Sequence, residues 1–394
     1  MTTEGAVRVS LGQRAVFSLV TTLLLLGAVE LGARGVVPPS SPPIGQFVEV
    51  DPFVPDPADR AALVTQPGLT DAEAGWDILR PQRFLKHKAP SVVRVLLVGG
   101  SSIFQLQGNV PALREQLAAS LQVPVERIEV VNGGGNGQGS AGVRHVVEFM
   151  LDKDVDALVV YSAHNEYTQH LVRWGSPDSW TARLERASAA ARGVQLAVDA
   201  ARVAWVRRAP VDATGSSGAS TDGVRSAGHG VAALEVLGEA GRQTSPPDEV
   251  ARRYQANLQA IVFEARRQGW AVVVATVPSN LLAPSWCKTP PETVSAFEAL
   301  RASGKLAEAA AFADDALSRG CHFQSTHVEN DILRALGRTQ EVYLADVQSA
   351  VLAASPHGVA GETLFLDHCH LDDAGRQIWV QTVAPVLARA LESR

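Results

Sequence analysis

The amino-acid sequence predicts an α/β protein, namely a doubly wound parallel sheet of about five strands with an N-terminal transmembrane helix and a helical insertion. Short apolar runs rich in β-branched residues alternate with longer amphipathic stretches, which is typical of βαβ units. Three of the runs end in glycine or polar residues, as strands do at the sheet edge where α/β proteins bind ligands. A predominantly apolar stretch near the N-terminus predicts the transmembrane helix.

The composition is that of a large globular protein. The 394 residues are 46% hydrophobic and 19% charged, with a formal net charge of −6. This length allows one large domain with additions, and the acidic balance does not favour a nucleic-acid partner. The three cysteines are too few and too scattered for a zinc site or a disulfide framework, although Cys287 and Cys321 could pair outside the cytoplasm.

The apolar stretch at residues 15–33 predicts an uncleaved membrane anchor. As a helix it would span roughly 28 Å, about the hydrocarbon thickness of a bilayer. More arginines precede the stretch than follow it closely. We therefore expect residues 1–14 in the cytoplasm and the remaining chain on the extracytoplasmic side, which is the periplasm in a Gram-negative source. The alternative is a cleaved signal peptide, but Leu31 and Ala33 fit a cleavage site poorly.

Residues 34–90 separate the predicted anchor from the periodic pattern and are rich in proline and polar residues. They predict either a tether or an irregular extension packed on the domain. The domain itself is predicted over residues 91–394. In its first half we expect strands at residues 92–98, 127–131 and 155–161, with helices at 111–122 and 140–151 between them.

The second half of the predicted domain contains two insertions. After a helical region at residues 167–206, the segment 209–247 is crowded with Gly, Ser, Ala and Thr and predicts a flexible insertion. Segment 291–336 carries helical patterns separated at Ser303 and Gly304, and predicts either a lid over the sheet edge or a structural excursion. The other predicted elements are a helix at 248–268, strands at 271–277 and 342–347, and a closing helix at 372–391.

Glycine and polar residues follow three of the predicted strands at the point where each strand ends. If the first strand lies between the second and the third, the three loops meet at one crevice. A fourth polar group stands just before the closing helix. The four groups are Gly99-Gly100-Ser101-Ser102, residues 132–137 (NGGGNG), Ser162-Ala163-His164-Asn165-Glu166, and Asp367-His368-Cys369-His370.

The order of these groups resembles the four sequence blocks of the SGNH (GDSL-type) hydrolases: a strand-end Gly-Asp-Ser, an NxGxxG loop, a GxND-like turn and a C-terminal DxxH. The resemblance runs from about residue 92 to residue 381 and is closest to the membrane-anchored branch of that family. It implies a three-layer SGNH/flavodoxin-like fold and the hydrolysis of an ester. The sequence departs from the family pattern at Gly100 and Glu166, where the family has aspartate. We expect no metal and no organic cofactor.

By this resemblance, Ser101 is the nucleophile, His370 the general base, and Asp367 the residue that orients His370. The residue types suit these roles, because a strand-to-helix turn exposes a serine hydroxyl and an imidazole can accept its proton. Ser102 is the competing nucleophile, but the alignment with Gly-Asp-Ser favours Ser101.

The expected oxyanion hole consists of the backbone N–H groups of Ser101 and Gly137 and the side-chain amide of Asn165. Glycine suits position 137, because the missing Cβ lets the backbone amide approach a substrate closely. Four neighbours are expected to shape or flank the site rather than react, namely Asn132, Gly134, His164 and Glu166.

Other functions are compatible with parts of the sequence. Residues 137–142 match GxGxxG, but they do not directly follow a strand, and the next strand does not end in an acidic residue, which disfavours dinucleotide binding. Histidine and aspartate cluster at residues 367–373, yet consecutive residues on a turn rarely all face one metal ion. The same triad would serve an O-acyltransferase acting on a glycan, and a non-catalytic binding module is a further alternative. We expect a small-molecule or glycan ester as substrate, and the sequence predicts no particular oligomeric state.

Overall fold

The computed structural model describes residues 21–22, 25–32, 51–65, 70–71, 76–77, 79–167, 246–287, 289–361 and 363–394. The chain divides into two compact units, Met1–Ile44 with Gly175–Ala219, and Gly45–Trp174 with Ser220–Arg394. In the first unit, residues 21–22 and 25–32 are helical. The central sheet and the candidate site belong to the second unit.

The predicted membrane anchor at residues 15–33 lies only partly within the described residues. Among those residues, no helix is both long and apolar enough to span a bilayer. The rest of that stretch lies outside the described set. So do residues 168–245, which include most of the predicted helical region 167–206 and of the flexible insertion 209–247. The anchor and the flexible insertion therefore stay predictions.

The described part of residues 34–90 is folded onto the domain. It contains the short strands β1 (Phe53–Pro55), β2 (Ala62–Thr65), β3 (Thr70–Asp71), β4 (Trp76–Asp77) and β5 (Arg83–Leu85). Three of them form an antiparallel sheet in the order β1-β2-β5, and β3 pairs with β4. Phe53, Leu63 and Phe84 of the larger sheet are buried in the main core. The packed extension is thus the interpretation that fits, and the domain begins before residue 91.

Five parallel strands form the central sheet, as the sequence predicts. They are β6 (Val93–Gly99), β7 (Ile128–Asn132), β8 (Ala157–Tyr161), β9 (Ala271–Ala275) and β10 (Val342–Ala345), in the spatial order β10-β9-β8-β6-β7. Strands β8 and β9 are buried along their whole length, which is why they are continuous apolar runs rather than alternating patterns. The first of the five lies between the second and the third, as the predicted crevice requires.

Helices cover both faces of this sheet. The α-helices in the described part of the second unit are α1 (Ser101–Gln105), α2 (Val110–Leu121), α3 (Ser140–Met150), α4 (Pro247–Arg267), α5 (Pro291–Ala302), α6 (Leu306–Ser318), α7 (His327–Leu336), α8 (Val347–Ala354) and α9 (Asp373–Glu392). Helix α9 packs on α2 and α8, whereas α4 packs on α3 and α7. The chain runs from β6 to β7 in one direction and crosses back to β8, so right-handed connections put α2 and α3 on opposite faces. The predicted α/β class with a parallel sheet of five strands is confirmed.

The helical insertion is an α-helical hairpin with a small core of its own. Helices α5 and α6 pack around Phe297, whose ring meets that of Trp286 edge to face with the centroids 5.3 Å apart. A disulfide joins Cys287, before the hairpin, to Cys321, after it. The pairing that the sequence left open is therefore present, and it ties the two ends of the hairpin together.

Candidate active site

Ser101 stands where the first strand of the central sheet ends. It is the first residue of α1, and Gly100 is the N-cap residue before it. A Cβ atom at position 100 would lie 2.3 Å from Nδ2 of Asn165 and 2.9 Å from the carbonyl oxygen of Gln138. Only glycine fits there without displacing one of these groups. The departure from the family's aspartate thus occurs where the side chain of Asn165 and the backbone of Gln138 lie close to Gly100.

The structure brings Ser101, His370 and Asp367 into one hydrogen-bonded row. Nε2 of His370 lies 2.7 Å from Oγ of Ser101, and Nδ1 of His370 lies 2.6 Å from Oδ2 of Asp367. In this arrangement an imidazole can take a proton from the hydroxyl while the carboxylate holds the far side of the ring. Oγ of Ser102, the competing nucleophile, is buried and has no hydrogen-bond partner among the described residues.

The carboxylate of Asp367 is held by its own turn. Its Oδ1 accepts hydrogen bonds from the backbone N–H groups of Cys369 and His370, both at 2.8 Å. Burial raises the pKa of this carboxyl, but the hydrogen bond from His370 and the charges of His370 and His368 outweigh burial and hold the pKa well below its usual range. Asp367 is therefore ionised at neutral pH, and an ionised carboxylate keeps the Nδ1–H tautomer of His370.

Asn280, which the sequence analysis did not single out, also holds this turn. Its backbone N–H donates to the carbonyl oxygen of His368 at 3.0 Å, and its Nδ2 donates to that of Asp367 at 3.2 Å. Its Oδ1 accepts from the backbone N–H groups of Leu282 and Ala283. The signal that could have identified Asn280 is its position shortly after β9, at the same sheet edge as the other loops.

The predicted oxyanion donors lie at neighbouring points of this edge. Nδ2 of Asn165 donates to the carbonyl oxygen of Gln138 at 3.2 Å and lies directly beside Gly100. Since Gln138 follows Gly137 and Gly100 precedes Ser101, Asn165 stands between the two predicted backbone donors. Gly137 has a φ of +68°, and a Cβ there would meet no atom within 4 Å. The backbone conformation therefore favours glycine at position 137, and there is open space where a side chain would stand.

Asn132 shapes the loop that contains Gly137. Its Oδ1 accepts from the backbone N–H of Gly134 at 2.9 Å. Its Nδ2 donates to the carbonyl oxygen of Ile103 and to Oε1 of Gln107, both at 3.0 Å. These bonds hold the loop against α1 and agree with the shaping role predicted for Asn132.

The two residues that flank Asn165 are buried and hydrogen bonded. Glu166 accepts from the backbone N–H of Ser140 at 2.8 Å and from its Oγ at 2.7 Å, and so caps the start of α3. Nδ1 of His164 accepts from the backbone N–H of Ser325 at 2.9 Å. Burial lowers the pKa of His164 to about 3, so its imidazole is neutral. Both residues have structural partners, as expected for residues that support the site.

One group of side chains in the described residues has the composition of a metal site. The ligand atoms of Asp367, Cys369 and His370 lie within 4.8 Å of one another. However, Nδ1 of His370 is hydrogen bonded to Asp367, and burial raises the pKa of the Cys369 thiol, which disfavours the thiolate that a metal needs. Asp372, another member of the predicted cluster, caps α9 by accepting from the N–H of Gly375. The arrangement suits the orientation of an imidazole better than the binding of an ion.

Known proteins resemble this chain in structure but not detectably in sequence. No protein-family model matches it, and neither does any curated protein. A solved GDSL-like lipase from Bacteroides thetaiotaomicron is 10% identical, with 75% of this chain and 88% of that chain covered and a TM-score of 0.36. The acetyl xylan esterase AlAXEase is 13% identical over 74% of this chain and 98% of that chain, with a TM-score of 0.38. AlinE4, an SGNH-hydrolase family esterase, is 14% identical over 77% and 99%, with a TM-score of 0.28. At such low TM-scores, the function of this chain has to be inferred from its own residues.

Proposed function

We propose that the second unit is a serine hydrolase of the SGNH type, which cleaves an ester through an acyl-enzyme on Ser101. The observation that carries this proposal is the row of hydrogen bonds from Ser101 through His370 to Asp367, at 2.7 and 2.6 Å. The four sequence blocks support it as well, because they occur in the order that the family has and meet at one edge of the sheet.

In the first half of the proposed reaction, Oγ of Ser101 attacks the acyl carbon and passes its proton to Nε2 of His370. The tetrahedral intermediate then breaks its bond to the alcohol, and His370 returns the proton to the departing oxygen. In the second half, water attacks the acyl-enzyme and gives a proton to His370. That proton goes back to Oγ as the carboxylic acid leaves, which restores the starting state.

Two further groups of residues lower the barrier of each half. Ionised Asp367 stabilises the imidazolium that forms on His370. The N–H groups of Ser101 and Gly137, together with the amide of Asn165, donate to the oxyanion of the tetrahedral intermediate. Loss of one such donor typically costs about 3 kcal/mol of transition-state stabilisation.

The decisive experiment compares two adjacent serines. Wild type and Ser102→Ala should be labelled by a fluorophosphonate and should hydrolyse a chromogenic acetyl ester, whereas Ser101→Ala should do neither. Equal labelling of the wild type and Ser101→Ala contradicts the assignment of the nucleophile. A folded wild type with neither labelling nor turnover on any ester of an acetyl, longer-acyl and glycan panel contradicts hydrolysis and favours a binding module. Transfer of the acyl group to added sugars faster than to water favours the O-acyltransferase alternative.

We also propose that residues 15–33 anchor the chain in a membrane, with the second unit on the extracytoplasmic side. The apolar length of the stretch supports an anchor, and the disulfide between Cys287 and Cys321 supports an oxidising compartment. Full-length chain should stay in the membrane pellet after alkaline carbonate extraction, and protease added to spheroplasts should digest the second unit. Release by carbonate, or protection from the protease, contradicts this topology.

A further inference from the structure

Residues 79–82, which precede β5, lie against both α1 and the loop after β7. Leu79 forms a β-bridge with Gly135 in that loop. Nε of Arg80 donates to the carbonyl oxygen of Phe104 at 3.2 Å, and the guanidinium carbon lies 3.8 Å from the centre of the Phe104 ring. Phe104 belongs to the short helix α1 that begins with Ser101. A segment outside the four sequence blocks therefore contacts the elements that carry two of them.

Gln82 makes a two-point contact in this region. Its Nε2 donates to the carbonyl oxygen of Asn132 at 2.5 Å, and its Oε1 accepts from the N–H of Asn132 at 3.0 Å. Asn132 is the last residue of β7, the edge strand of the central sheet. The side-chain amide thus pairs with the backbone of Asn132 as a neighbouring strand would, just where the loop to Gly137 begins.

Gln82 is itself held by β2. The backbone N–H of Gln82 donates to Oγ1 of Thr65 at 3.0 Å, and the N–H of Thr65 donates to the carbonyl oxygen of Gln82 at 3.1 Å. Thr65 is buried, and its Oγ1 also donates to the carbonyl oxygen of Arg80 at 2.8 Å. Since the sheet that contains β2 packs in the main core, the backbone of Gln82 is bonded to a buried part of the domain.

Hydrogen bonds within the loop after β7 connect Asn132 to the predicted oxyanion donors. Further along the loop, the N–H of Gln138 donates to the carbonyl oxygen of Gly135, and the carbonyl oxygen of Gln138 accepts from Asn165. A displacement of the end of β7 would therefore move the N–H of Gly137 and the group to which Asn165 is bonded.

We propose that Gln82 is a positioning residue for the oxyanion hole. It fixes the end of β7 and thereby the loop that presents the N–H of Gly137. This inference rests on the proposed function, because an oxyanion forms beside the loop only if Ser101 attacks the acyl carbon of a substrate. A merely structural Gln82 would affect the stability of the fold but not the relative affinity for substrate and transition state. A positioning Gln82 affects that relative affinity.

The first test is Gln82→Met, which keeps the length of the side chain and removes both hydrogen bonds. With a chromogenic ester, kcat should fall about 10- to 100-fold while KM changes less than about twofold. The affinity for a boronic acid, whose tetrahedral adduct puts an oxygen in the oxyanion hole, should fall by a similar factor. Arg83→Met is the matched control, since Arg83 begins β5 and pairs with Asp56 and Asp59 in the connection between β1 and β2, and it should keep both values. Unchanged kcat and boronate affinity in folded Gln82→Met overturn the proposal.

A second variant keeps the test decisive if Gln82→Met does not fold. In Gln82→Glu, a protonated carboxyl can both donate to and accept from Asn132, whereas a carboxylate repels the carbonyl oxygen of Asn132. Its kcat relative to the wild type should therefore fall at least about fivefold between pH 4 and pH 8, a range that includes the ordinary titration of a glutamate at about pH 4.3. The two charged neighbours in sequence, Arg80 and Arg83, contact Phe104 and the Asp56–Asp59 pair, and neither titrates in this range. A constant ratio overturns the proposal.

A readout without catalysis separates this inference from the proposed function. Hydrogen exchange of the amides of residues 133–137 should be at least about tenfold faster in Gln82→Glu at pH 8 than in the wild type, and unchanged in Arg83→Met. Unchanged exchange in Gln82→Glu contradicts the positioning role even if the wild type is an active hydrolase. If Gln82→Glu exchanges faster but the wild type shows no turnover, the contact of Gln82 with Asn132 is supported. The role of Gln82 in the oxyanion hole is then contradicted, and so is the proposed function.

Discussion

Nε2 of His370 lies 2.7 Å from Oγ of Ser101, although 269 positions separate the two residues along the chain. Ser101 starts the helix that follows β6, and His370 lies just before α9, which packs on the same sheet. The contact is thus produced by the fold as a whole rather than by a local motif. Because the two atoms are already within hydrogen-bond range, proton transfer needs no rearrangement of either element.

Asp367→Asn should lower kcat on a chromogenic ester by about 10³- to 10⁴-fold without unfolding the protein. Oδ1 of Asp367 accepts two backbone N–H groups of its turn, so an asparagine would direct its amide nitrogen at Nδ1 of His370. The imidazole would then carry its proton on Nε2 and could no longer accept one from Ser101. Steady-state kinetics and a thermal melt of the same sample measure this.

Asp372→Asn is the matched control, because Asp372 caps α9 a few residues further along. It should keep activity within about threefold, at most with a lower melting temperature. An Asp367→Asn variant that retains more than a tenth of the wild-type kcat would show that Asp367 does not orient the base.

Three of the four predicted parts of the site sit at strand ends, whereas the fourth, Asp367 with His370, rests on the DxxH block before the closing helix. Ser101, the loop that begins at Asn132, and Asn165 follow buried strands whose apolar runs are easy to recognise, and parallel strands bring their carboxyl ends to one edge. The order of these three strands then follows from the single assumption that the first lies between the second and the third. This is why three distant loops could be expected to meet.

The parts that were not predicted depend on short or weakly patterned elements. Strands β1, β2 and β5 have three or four residues each, interrupted by proline and charged residues, so residues 34–90 gave no clear periodicity. Helix α8 was also missed, although Asp346 caps it by accepting from the N–H of Ser349. The contact of Gln82 with Asn132 joins residues 50 positions apart, and no local pattern indicates it.

Gly100→Ala should abolish most of the activity, although glycine and alanine differ by one methyl group. The new Cβ would lie 2.3 Å from Nδ2 of Asn165 and 2.9 Å from the carbonyl oxygen of Gln138, both far inside van der Waals contact. We expect the Asn165 amide to move away and kcat to fall about 10²-fold, since an oxyanion donor is displaced.

Gly108→Ala serves as the control for that substitution, because a Cβ at position 108 would meet no atom within 4 Å. Its kinetics should match those of the wild type. If Gly100→Ala is fully active, the side chain of Asn165 has room to move without consequence and is not an oxyanion donor.

The disulfide between Cys287 and Cys321 should be detectable by counting thiols. Unfolded, unreduced protein should react with an alkylating reagent at Cys369 alone, and reduced protein at all three cysteines. Replacing both paired cysteines by alanine should lower the free energy of unfolding by about 3–4 kcal/mol, the cost expected for a loop of this size, with a sequence separation of 34. Three reactive thiols in the unreduced protein would contradict the pairing.

A buried pair between His322 and Glu329 should give the stability of the protein a characteristic pH dependence. Nε2 of His322 lies 3.3 Å from Oε1 of Glu329, and Nδ1 of His322 faces the carbonyl oxygens of Leu317 and Gly320. Both ring nitrogens thus face acceptors, which favours the imidazolium. Burial alone lowers the pKa of His322, but the charge of Glu329 and these hydrogen bonds outweigh burial and raise it. Burial likewise opposes ionisation of Glu329, yet the charge of His322 and the bonds from Thr326 lower its pKa.

The shifted pKa values of Glu329 and His322 make the stability of the fold depend on pH in opposite directions. The contribution of Glu329 is present above its unfolded pKa of 4.5 and is lost as the pH falls through the lowered folded value. The contribution of His322 is present below its unfolded pKa of 6.5 and is lost as the pH rises through the raised folded value. Both contributions are fully present only between pH 4.5 and 6.5. The wild type and Glu329→Gln should therefore differ most in their free energy of unfolding in that range.

Chemical denaturation at intervals from pH 3 to pH 9 measures that difference. The difference should reach about 3 kcal/mol between pH 4.5 and 6.5, because the substitution leaves a buried imidazole without its counter-charge. It should become smaller below and above that pH range. His87→Gln, which breaks the exposed pair with Asp154, is the control and should stay within about 0.5 kcal/mol of the wild type throughout. A difference that is the same at pH 5 and pH 9 would show that His322 is neutral in the folded protein, and that Glu329 acts only by accepting hydrogen bonds from Thr326.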